Sequence, residues 1–253
     1  MKIGYVVHPR KDIVQRIKWI SKNNFDFVDF FMEDGKSSPK ALDFKKVKKV
    51  LKDNKIPIVG HTAWYLPLAA PSEALRKTAV NELKTYIRAL SRLGAKYITI
   101  HTKWPHGLFS AKEGILFHIK SLKELMKTAQ KYKVKLMLEQ SDHLRDSPKN
   151  ISAILKKVPG LYFHLDIGHA NLHRRNPADF IKKFRTKIKH LHLHDNHGKL
   201  DEHLPLGKGN INFKKIIKLL RKNGYDGTLT LEVFSKHLKD ILTSKRKIEH
   251  LLN

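Results

Sequence analysis

The sequence of 253 residues contains no cysteine. This absence excludes a disulfide framework and any metal site built from thiolate ligands. It is also compatible with a reducing compartment. A metal centre in this chain would have to use other ligands, such as histidine nitrogens and carboxylate oxygens.

Long apolar runs are missing as well. No stretch approaches the ~18 consecutive apolar residues that mark a membrane-spanning helix. The first apolar run, at residues 3–7, is broken by His8, Pro9, Arg10 and Lys11, which is not the pattern of a secretory signal peptide. We therefore expect a soluble, cytoplasmic protein with no membrane partner.

Acidic residues are scarce compared with basic ones. The chain has 51 lysines and arginines against 23 aspartates and glutamates, which gives a formal net charge of +28. Such a charge favours polyanionic partners such as nucleic acid. Alternatively, the lysines simply cover solvent-facing helices, as in segments 45–55, 179–189 and 212–222. Charge bears on partners and association rates rather than on the fold, so both interpretations stay open.

Short apolar runs recur along the whole chain, and apolar residues make up 41% of it, enough for a sizeable core. The runs are 4–8 residues long and rich in Val, Ile, Leu, Phe and Tyr, which is typical of buried parallel strands. They lie at residues 3–7, 25–31, 56–62, 97–102, 134–139, 161–166, 188–194 and 228–232.

Helical patterns separate these runs, at residues 72–94, 116–132, 146–160 and 212–227. The first of them carries Leu75, Ala79 and Leu83 at helical spacing and ends at Gly94, a common stop signal. Strands and helices that alternate eight times in ~250 residues predict a (β/α)8 TIM barrel. We expect residues 1–253 to form this barrel as a single domain.

Polar side chains collect where the predicted strands end. The third to sixth and the eighth runs end in His61, His101, Glu139, Asp166 and Glu232, and the seventh contains His190, His192 and His194. One such residue is more often an ordinary loop residue, but six consecutive strands ending this way is not expected by chance. Since the carboxyl ends of barrel strands form the functional rim, this pattern favours a site for Zn²⁺, Mn²⁺ or a similar ion.

The loops after the sixth and seventh runs add further candidates. "DIGH" places His169 three residues after Asp166, and "DEH" places His203 two residues after Asp201. The segment "PLGKGN" that follows offers glycines for a tight turn and Lys208 as a contact for phosphate or carboxylate. Arg174 and Arg175 are two more candidates for phosphate, because guanidinium binds phosphate bidentately, unless they only cap surface turns.

The sequence resembles the xylose isomerase-like TIM barrels, which include sugar-phosphate isomerases and epimerases and the endonuclease IV group of DNA-repair enzymes. The resemblance covers residues 59–234 and is more specific for the superfamily than for one reaction. The similar segments are "VGHTAWYLPLAAP", "LGAKYITIHT", "LMLEQ", "FHLDIGHANL", "HLHLHDNHGKLDEHLPLGKGNI" and "GYDGTLTLEVF".

The epimerase branch implies one divalent ion, Zn²⁺, Mn²⁺, Mg²⁺ or Co²⁺, held by Glu139, Asp166, His192 and Glu232. It also implies that His169 contacts the substrate. Glu139 and Glu232 would flank a bound ketose and exchange a proton at the carbon next to its carbonyl. Each carboxylate can act as base or acid from its own face, through an enediolate intermediate.

The endonuclease IV branch implies three zinc ions and cleavage of a phosphodiester at abasic sites, with the net charge helping to hold DNA. In that case the segment 64–66, "WYL", could insert into the duplex, although packing at the barrel rim is the simpler role. The nine ligands would be His61, His101, Glu139, Asp166, His169, His192, Asp201, His203 and Glu232.

Several departures weigh against the nuclease. The chain has "DIGH" where the repair enzymes carry "DTCH", and "HLHD" where they carry "HxND". The loop "MEDGKSSPKALDF" is short and has no arginine to insert into DNA. We therefore predict a metal-dependent isomerase or epimerase of a sugar or sugar phosphate, with the abasic-site phosphodiesterase as the alternative. A non-catalytic binding barrel is the third hypothesis.

Overall fold

The structure is a computed structural model that describes all residues, 1–253. Eight strands run along the chain: β1 (Lys2–Val7), β2 (Phe27–Met32), β3 (Ile58–Thr62), β4 (Tyr97–His101), β5 (Lys135–Glu139), β6 (Tyr162–Asp166), β7 (Ile188–Leu193) and β8 (Thr228–Leu231). The helices are α1 (Ile13–Lys22), α2 (Phe44–Asp53), α3 (Glu73–Leu93), α4 (Ala111–Lys131), α5 (Pro148–Lys157), α6 (Ile167–Asn171), α7 (Pro177–Phe184), α8 (Phe213–Lys222) and α9 (Leu238–Leu252). None of these helices combines the length and the apolar composition needed to cross a membrane.

The eight strands form a closed barrel in chain order, and every neighbouring pair is parallel. The barrel closes between β8 and β1, where Lys2 pairs with Thr228 and Tyr5 with Leu231. The predicted (β/α)8 TIM barrel is therefore confirmed. All carboxyl ends of the strands lie at one rim, as parallel pairing requires.

All eight predicted strands are present, but some helix limits differ from the prediction. α4 begins five residues before the predicted start, because a capping box fixes its first turn. The Ser110 hydroxyl accepts from the Glu113 N–H, and the Glu113 carboxylate accepts from the Ser110 N–H. α8 ends at Lys222, five residues before the predicted end, and the chain turns at Gly224, whose φ is +71°.

The core lies mainly between the strands and the surrounding helices. Phe163 on β6, for example, packs against Phe180 and Phe184 of α7. The interior of the barrel is different, because it contains fully buried polar side chains from β2, β6 and β7. These are Asp29, His164, His190 and His192. This polar interior lies directly against the site at the rim.

Candidate metal centre

The strand ends surround a cavity of about 520 Å³ at the carboxyl rim of the barrel. Seven of the nine predicted ligands line it, and the other two, Asp166 and His192, are fully buried beside them. The seven are His61, His101, Glu139, His169, Asp201, His203 and Glu232.

His192 lies at the centre of the first group of ligands. Its Nδ1 atom is 2.9 Å from Glu232 Oε2, 3.4 Å from Glu139 Oε1 and 3.6 Å from Asp166 Oδ2. Candidate ligand atoms of Glu139, Asp166 and His192 all lie within 4.8 Å of one another. Three carboxylates thus approach the same imidazole nitrogen, from β5, from β6 and from the residue after β8.

The donor set fits a divalent cation. Carboxylate oxygens and imidazole nitrogens bind Zn²⁺ and Mn²⁺ alike. Asp166 Oδ2 is fully buried and has no hydrogen-bond partner in the protein, although Asp166 Oδ1 has two. A buried carboxylate oxygen without a donor is costly, and a cation bound beside it would remove that cost. Glu139, Asp166, His192 and Glu232 are the residues that would hold it.

A second group forms around the other oxygen of Glu139. Glu139 Oε2 is 3.2 Å from His61 Nε2 and 3.0 Å from His101 Nε2. Phe31 stacks on the His61 ring with centroids 3.9 Å apart, which fixes the plane of that imidazole. His61, His101 and Glu139 can therefore bind a cation as a set, with Glu139 shared between this group and the first.

A third group gathers on Asp201. Asp201 Oδ2 lies 3.2 Å from His169 Nε2 and 2.9 Å from His203 Nε2, and Oδ1 lies 3.6 Å from His194 Nε2. Their candidate ligand atoms lie within 4.8 Å of one another. His194, which follows β7, is therefore part of this group.

The "DIGH" motif is a strand end followed by one turn of helix. Asp166 caps α6, because its Oδ1 accepts from the His169 N–H at 2.7 Å. The turn brings the His169 ring back towards Asp201. Gly168 is needed at this point, since a Cβ there would overlap the His194 imidazole.

The loop that carries Asp201 and His203 is anchored by Asp195. Asp195 and Leu204 exchange two backbone hydrogen bonds of 2.9 Å. The Asp195 carboxylate accepts from the N–H groups of Gly207 at 2.8 Å and Ile211 at 3.2 Å. Two backbone N–H groups of the "PLGKGN" turn region therefore bind this aspartate rather than a phosphate.

The imidazoles of His192, His169 and His203 hold protons strongly in the absence of a cation, whereas burial lowers the pKa of His101. Burial alone would lower the pKa of His192, but the charges of Glu232 and Glu139 outweigh it and hold the pKa well above its ordinary value. Burial also lowers the pKa of His169, but the nearby carboxylates of Asp166 and Asp201 outweigh it and hold the pKa well above its ordinary value. For His203, burial is outweighed by Glu232 and Asp201, and the pKa rises to about 9.

The carboxylates of the site remain ionised. Burial opposes this, but the surrounding imidazoles of His164, His101 and His192 hold the pKa of Glu139 well below its ordinary value. His169 and His203 likewise keep the pKa of Asp201 low against the effect of burial. Binding a cation here would release the protons of His192, His169 and His203, which makes metal affinity dependent on pH.

Comparison with known proteins agrees with this architecture. The family model described as "Xylose isomerase-like TIM barrel" matches residues 17–253. The chain belongs to this family. An uncharacterized protein of Methanocaldococcus jannaschii is 30% identical over 100% of this chain and 89% of its own length.

Further similar proteins match most or all of the chain. A crystal structure of a D-tagatose 3-epimerase-like protein superposes with a TM-score of 0.89 and is 29% identical, covering 100% of this chain and 97% of its own. A probable endonuclease 4 of Aquifex aeolicus is 27% identical over 89% of this chain and 88% of its own length. Sugar 3-epimerases recur among the other relatives.

The predicted phosphate contacts do not line the cavity. Arg175 lies outside the lining, and its guanidinium donates to four backbone carbonyls, those of Leu172, His143, Asp146 and His169. Arg174 and Lys208 are exposed outside the lining. Arg10, which follows β1, is the arginine that the cavity does contain.

The segment 64–66 lies at the mouth of the cavity. Trp64 is 53% exposed and lies under the Lys103 ammonium, whose nitrogen is 4.5 Å from the ring centroid. The Tyr65 hydroxyl accepts from the Asp34 N–H, which ties this segment to the loop after β2. Trp64 and Tyr65 both line the cavity, and Leu66 packs against the core. The arrangement fits the simpler of the two predicted roles, packing at the rim.

Asp29 and His164 were not predicted as site residues. Both are fully buried inside the barrel and touch predicted ligands. His164 Nδ1 lies 3.2 Å from Glu139 Oε2, and Asp29 Oδ2 lies 2.8 Å from His192 Nε2. The signal in the sequence was a single polar residue within an otherwise apolar strand, as in "FVDFFM" of β2. His190 is fully buried in the barrel interior, and His197 is exposed and pairs with Glu202.

Proposed function

We propose that the protein is a divalent-metal-dependent epimerase or isomerase of a ketose. The observation that carries this proposal is the pair of ionised carboxylates at the base of the cavity. Glu139 and Glu232 both face the same nitrogen of His192, and both come from strand ends separated by two strands of the barrel. Such a pair can reach a small substrate from two sides.

The reaction is a proton exchange at the carbon next to the ketose carbonyl. One glutamate removes the proton from one face, and the other delivers a proton to the opposite face, which inverts the centre. The lowered pKa values of both carboxyls keep them available as proton acceptors. A divalent cation, when bound, would polarise the carbonyl and stabilise the negative charge of the enediolate.

The rest of the cavity suits a monosaccharide. Its volume of about 520 Å³ is within the range of small-molecule sites. His169 and His203 can donate hydrogen bonds to sugar hydroxyls, and Trp64 and Phe234 offer half-exposed ring faces. Arg10 is the group in the lining that could bind a phosphate, so a ketose phosphate would place its phosphate there.

An epimerisation assay tests this proposal. Metal-free protein is reconstituted separately with Mn²⁺, Co²⁺, Mg²⁺ and Zn²⁺, and each form is incubated with a panel of ketopentoses, ketohexoses and their phosphates. We expect one epimer or aldose product with at least one metal and none with the chelated protein. Failure of every metal form on every ketose, in protein shown to bind metal, contradicts the proposal.

The second candidate function is a zinc-dependent phosphodiesterase acting at abasic sites in DNA. The observation in its favour is that all nine side chains that the endonuclease IV resemblance assigns to three zinc ions lie together here, in overlapping groups. The relationship to the Aquifex aeolicus protein supports it as well.

Metal content and DNA cleavage separate the two candidates. The epimerase predicts one exchangeable divalent ion per chain and an abasic-site oligonucleotide that stays uncut. The nuclease predicts three zinc ions per chain and cleavage at the abasic site. Three tightly held zinc ions together with cleavage contradict the epimerase, whereas one ion without cleavage contradicts the nuclease.

A further inference from the structure

Asp29 lies on β2 and reaches across the interior of the barrel to β7. Its Oδ2 atom is 2.8 Å from His192 Nε2 and 3.1 Å from His190 Nε2, and all three side chains are fully buried. β2 and β7 are not neighbours, since β8 and β1 lie between them. The contact is therefore made by side chains across the barrel rather than along a strand pair.

The two nitrogens of His192 face different partners. Nδ1 faces the carboxylates of Glu139 and Glu232 at the cavity, whereas Nε2 faces Asp29 in the interior. A histidine that binds a metal uses an unprotonated nitrogen and keeps its proton on the other one. The hydrogen bond made by the second nitrogen decides which of the two is free.

We propose that Asp29 is a positioning residue, which holds the proton of His192 on Nε2 and thereby leaves Nδ1 free to bind the divalent cation. This inference rests on the metal centre proposed above, with His192 as a ligand. It holds whichever reaction the centre performs.

Asp29 is itself held in place from the other side. His190 Nε2 provides its second contact, and His190 Nδ1 lies 2.6 Å from Thr228 Oγ1. The Asp29 carboxylate therefore lies between two imidazole nitrogens, each at hydrogen-bonding distance. An ionised carboxylate is the stronger acceptor and increases the basicity of the imidazole that donates to it.

A role in stability alone explains this arrangement less well. Taking a carboxylate and two imidazoles out of water carries a desolvation penalty, and apolar residues often serve a buried position equally well or better. Phe27 and Phe31, which share the interior face of β2 with Asp29, are buried and apolar. A polar group at this one position is accounted for by its contact with His192.

The tautomer of His192 can be measured directly in the wild-type protein. Long-range ¹H–¹⁵N spectra of ¹⁵N-histidine-labelled protein, with the His192 signals assigned by comparison with His192→Gln, are recorded after loading with Zn²⁺. We expect Nδ1 to shift on zinc binding and Nε2 to carry the proton. Zinc on Nε2 with the proton on Nδ1 overturns the proposal, and this measurement does not depend on any Asp29 variant folding.

The affinity for zinc provides the second test. Asp29→Asn keeps the shape of the side chain but removes its charge, and we expect the dissociation constant for Zn²⁺ to rise by a factor of ~10–100. Thr230→Val is the matched control, because Thr230 contacts His190 at 3.2 Å but neither Asp29 nor His192 through its side chain. The control should keep the wild-type affinity.

Competition with a chromophoric chelator gives both dissociation constants, and the melting temperatures of the metal-free proteins show that each variant is folded. Wild-type affinity in Asp29→Asn, or an equal loss in both variants, overturns the role of Asp29 while the metal centre stands. A wild-type protein that takes up no zinc overturns the proposed centre itself and this inference with it.

Discussion

Glu139, Asp166 and Glu232 stay ionised although all three are buried, because each has histidine rings within hydrogen-bonding or ion-pair distance. The imidazoles supply positive charge beside these carboxylates, which offsets the cost of burying them in the ionised form. This balance depends on residues from separate parts of the chain, because Glu139 contacts His61, His101 and His164. It also means that single substitutions at the centre have consequences well beyond the loss of one contact.

The two glutamates should be individually essential for turnover. Glu139→Gln and Glu232→Gln each remove a proton acceptor while keeping the side-chain shape, so we expect kcat to fall by a factor of ~10²–10⁴. Glu82→Gln is the control and should keep the wild-type kcat, since Glu82 lies on α3 outside the lining of the cavity. Steady-state kinetics on the active ketose give the comparison. Full activity with retained metal in Glu232→Gln means that the centre has been placed wrongly.

Arg10 should decide whether a phosphate is recognised. If the substrate is a ketose phosphate, Arg10→Gln should raise KM by about tenfold or more, because a charge-assisted hydrogen bond contributes roughly 1.5–3 kcal/mol. The same variant should leave KM for an unphosphorylated ketose unchanged. Lys208→Gln serves as the control outside the cavity. An equal change in KM for both kinds of ketose contradicts phosphate recognition by Arg10.

At the scale of elements, the short helix α6 depends on a close approach to β7. Gly168 has no room for a Cβ because the His194 ring packs against it. Gly168→Ala should therefore lower the free energy of unfolding by ~1–3 kcal/mol through overpacking. In the His194→Ala background the same substitution should cost much less. Denaturant unfolding of the four proteins measures this, and equal costs in both backgrounds contradict the packing argument.

The contact between α4 and the segment after β4 should weaken in acid. His118 is fully buried, accepts from the Lys103 N–H at 3.0 Å and donates to the Gly114 carbonyl at 2.7 Å. Burial lowers the pKa of His118 from 6.5 to about 4. The unfolded chain therefore binds the proton first, and stability is lost as the pH falls from 6.5 through 4.

The size of that loss is on the order of 3 kcal/mol. His118→Gln removes the titrating group, so its free energy of unfolding should fall less steeply over this pH window than that of the wild type. Unfolding curves at pH 7, 5.5 and 4.5 provide the comparison. Parallel pH profiles for the two proteins contradict this account of His118.

The strand ends were predictable from the sequence, whereas the interior of the barrel was not. His61, His101 and Glu139 follow apolar runs, and parallel pairing then places them at one rim. Asp29 is visible as one polar residue in an apolar run, but nothing local indicates its partners His190 and His192, which are 161 and 163 residues away along the chain. Contacts across a barrel depend on how the sheet closes and on the register of its strands, and a local sequence pattern predicts neither.

The loop after β7 shows the same limit. The glycines of "PLGKGN" do form a turn, as predicted, but nothing local indicates that the Asp195 carboxylate binds the N–H groups of Gly207 and Ile211. Lys208 consequently lies outside the cavity. The "PLGKGN" segment therefore predicts a turn, whereas its contact with Asp195 is visible only in the fold.

At the scale of the whole molecule, the positive charge is not concentrated at the candidate site. The lining of the cavity contains Arg10 as its arginine and no lysine, against five carboxylate residues, Glu33, Glu139, Asp142, Asp201 and Glu232. The excess of basic residues therefore lies elsewhere on the protein. This distribution favours lysines that cover solvent-facing helices over a basic channel leading DNA to the metal centre.

The extent of the barrel bears on the prediction of a single domain. The barrel uses strands from residue 2 to residue 231, and α9 extends the fold to residue 252. Every strand pair needed for closure comes from within this span. We accordingly propose that residues 1–253 form one domain.

The most direct test of the central claim is solvent deuterium incorporation into a ketose. Protein reconstituted with one divalent ion is incubated with each ketose of the panel in D₂O, and the product is examined by NMR. We predict deuterium at the carbon next to the carbonyl together with the epimer, both lost on chelation and in Glu232→Gln. Metal-loaded protein that introduces no deuterium into any ketose, and forms no epimer or aldose, contradicts the account.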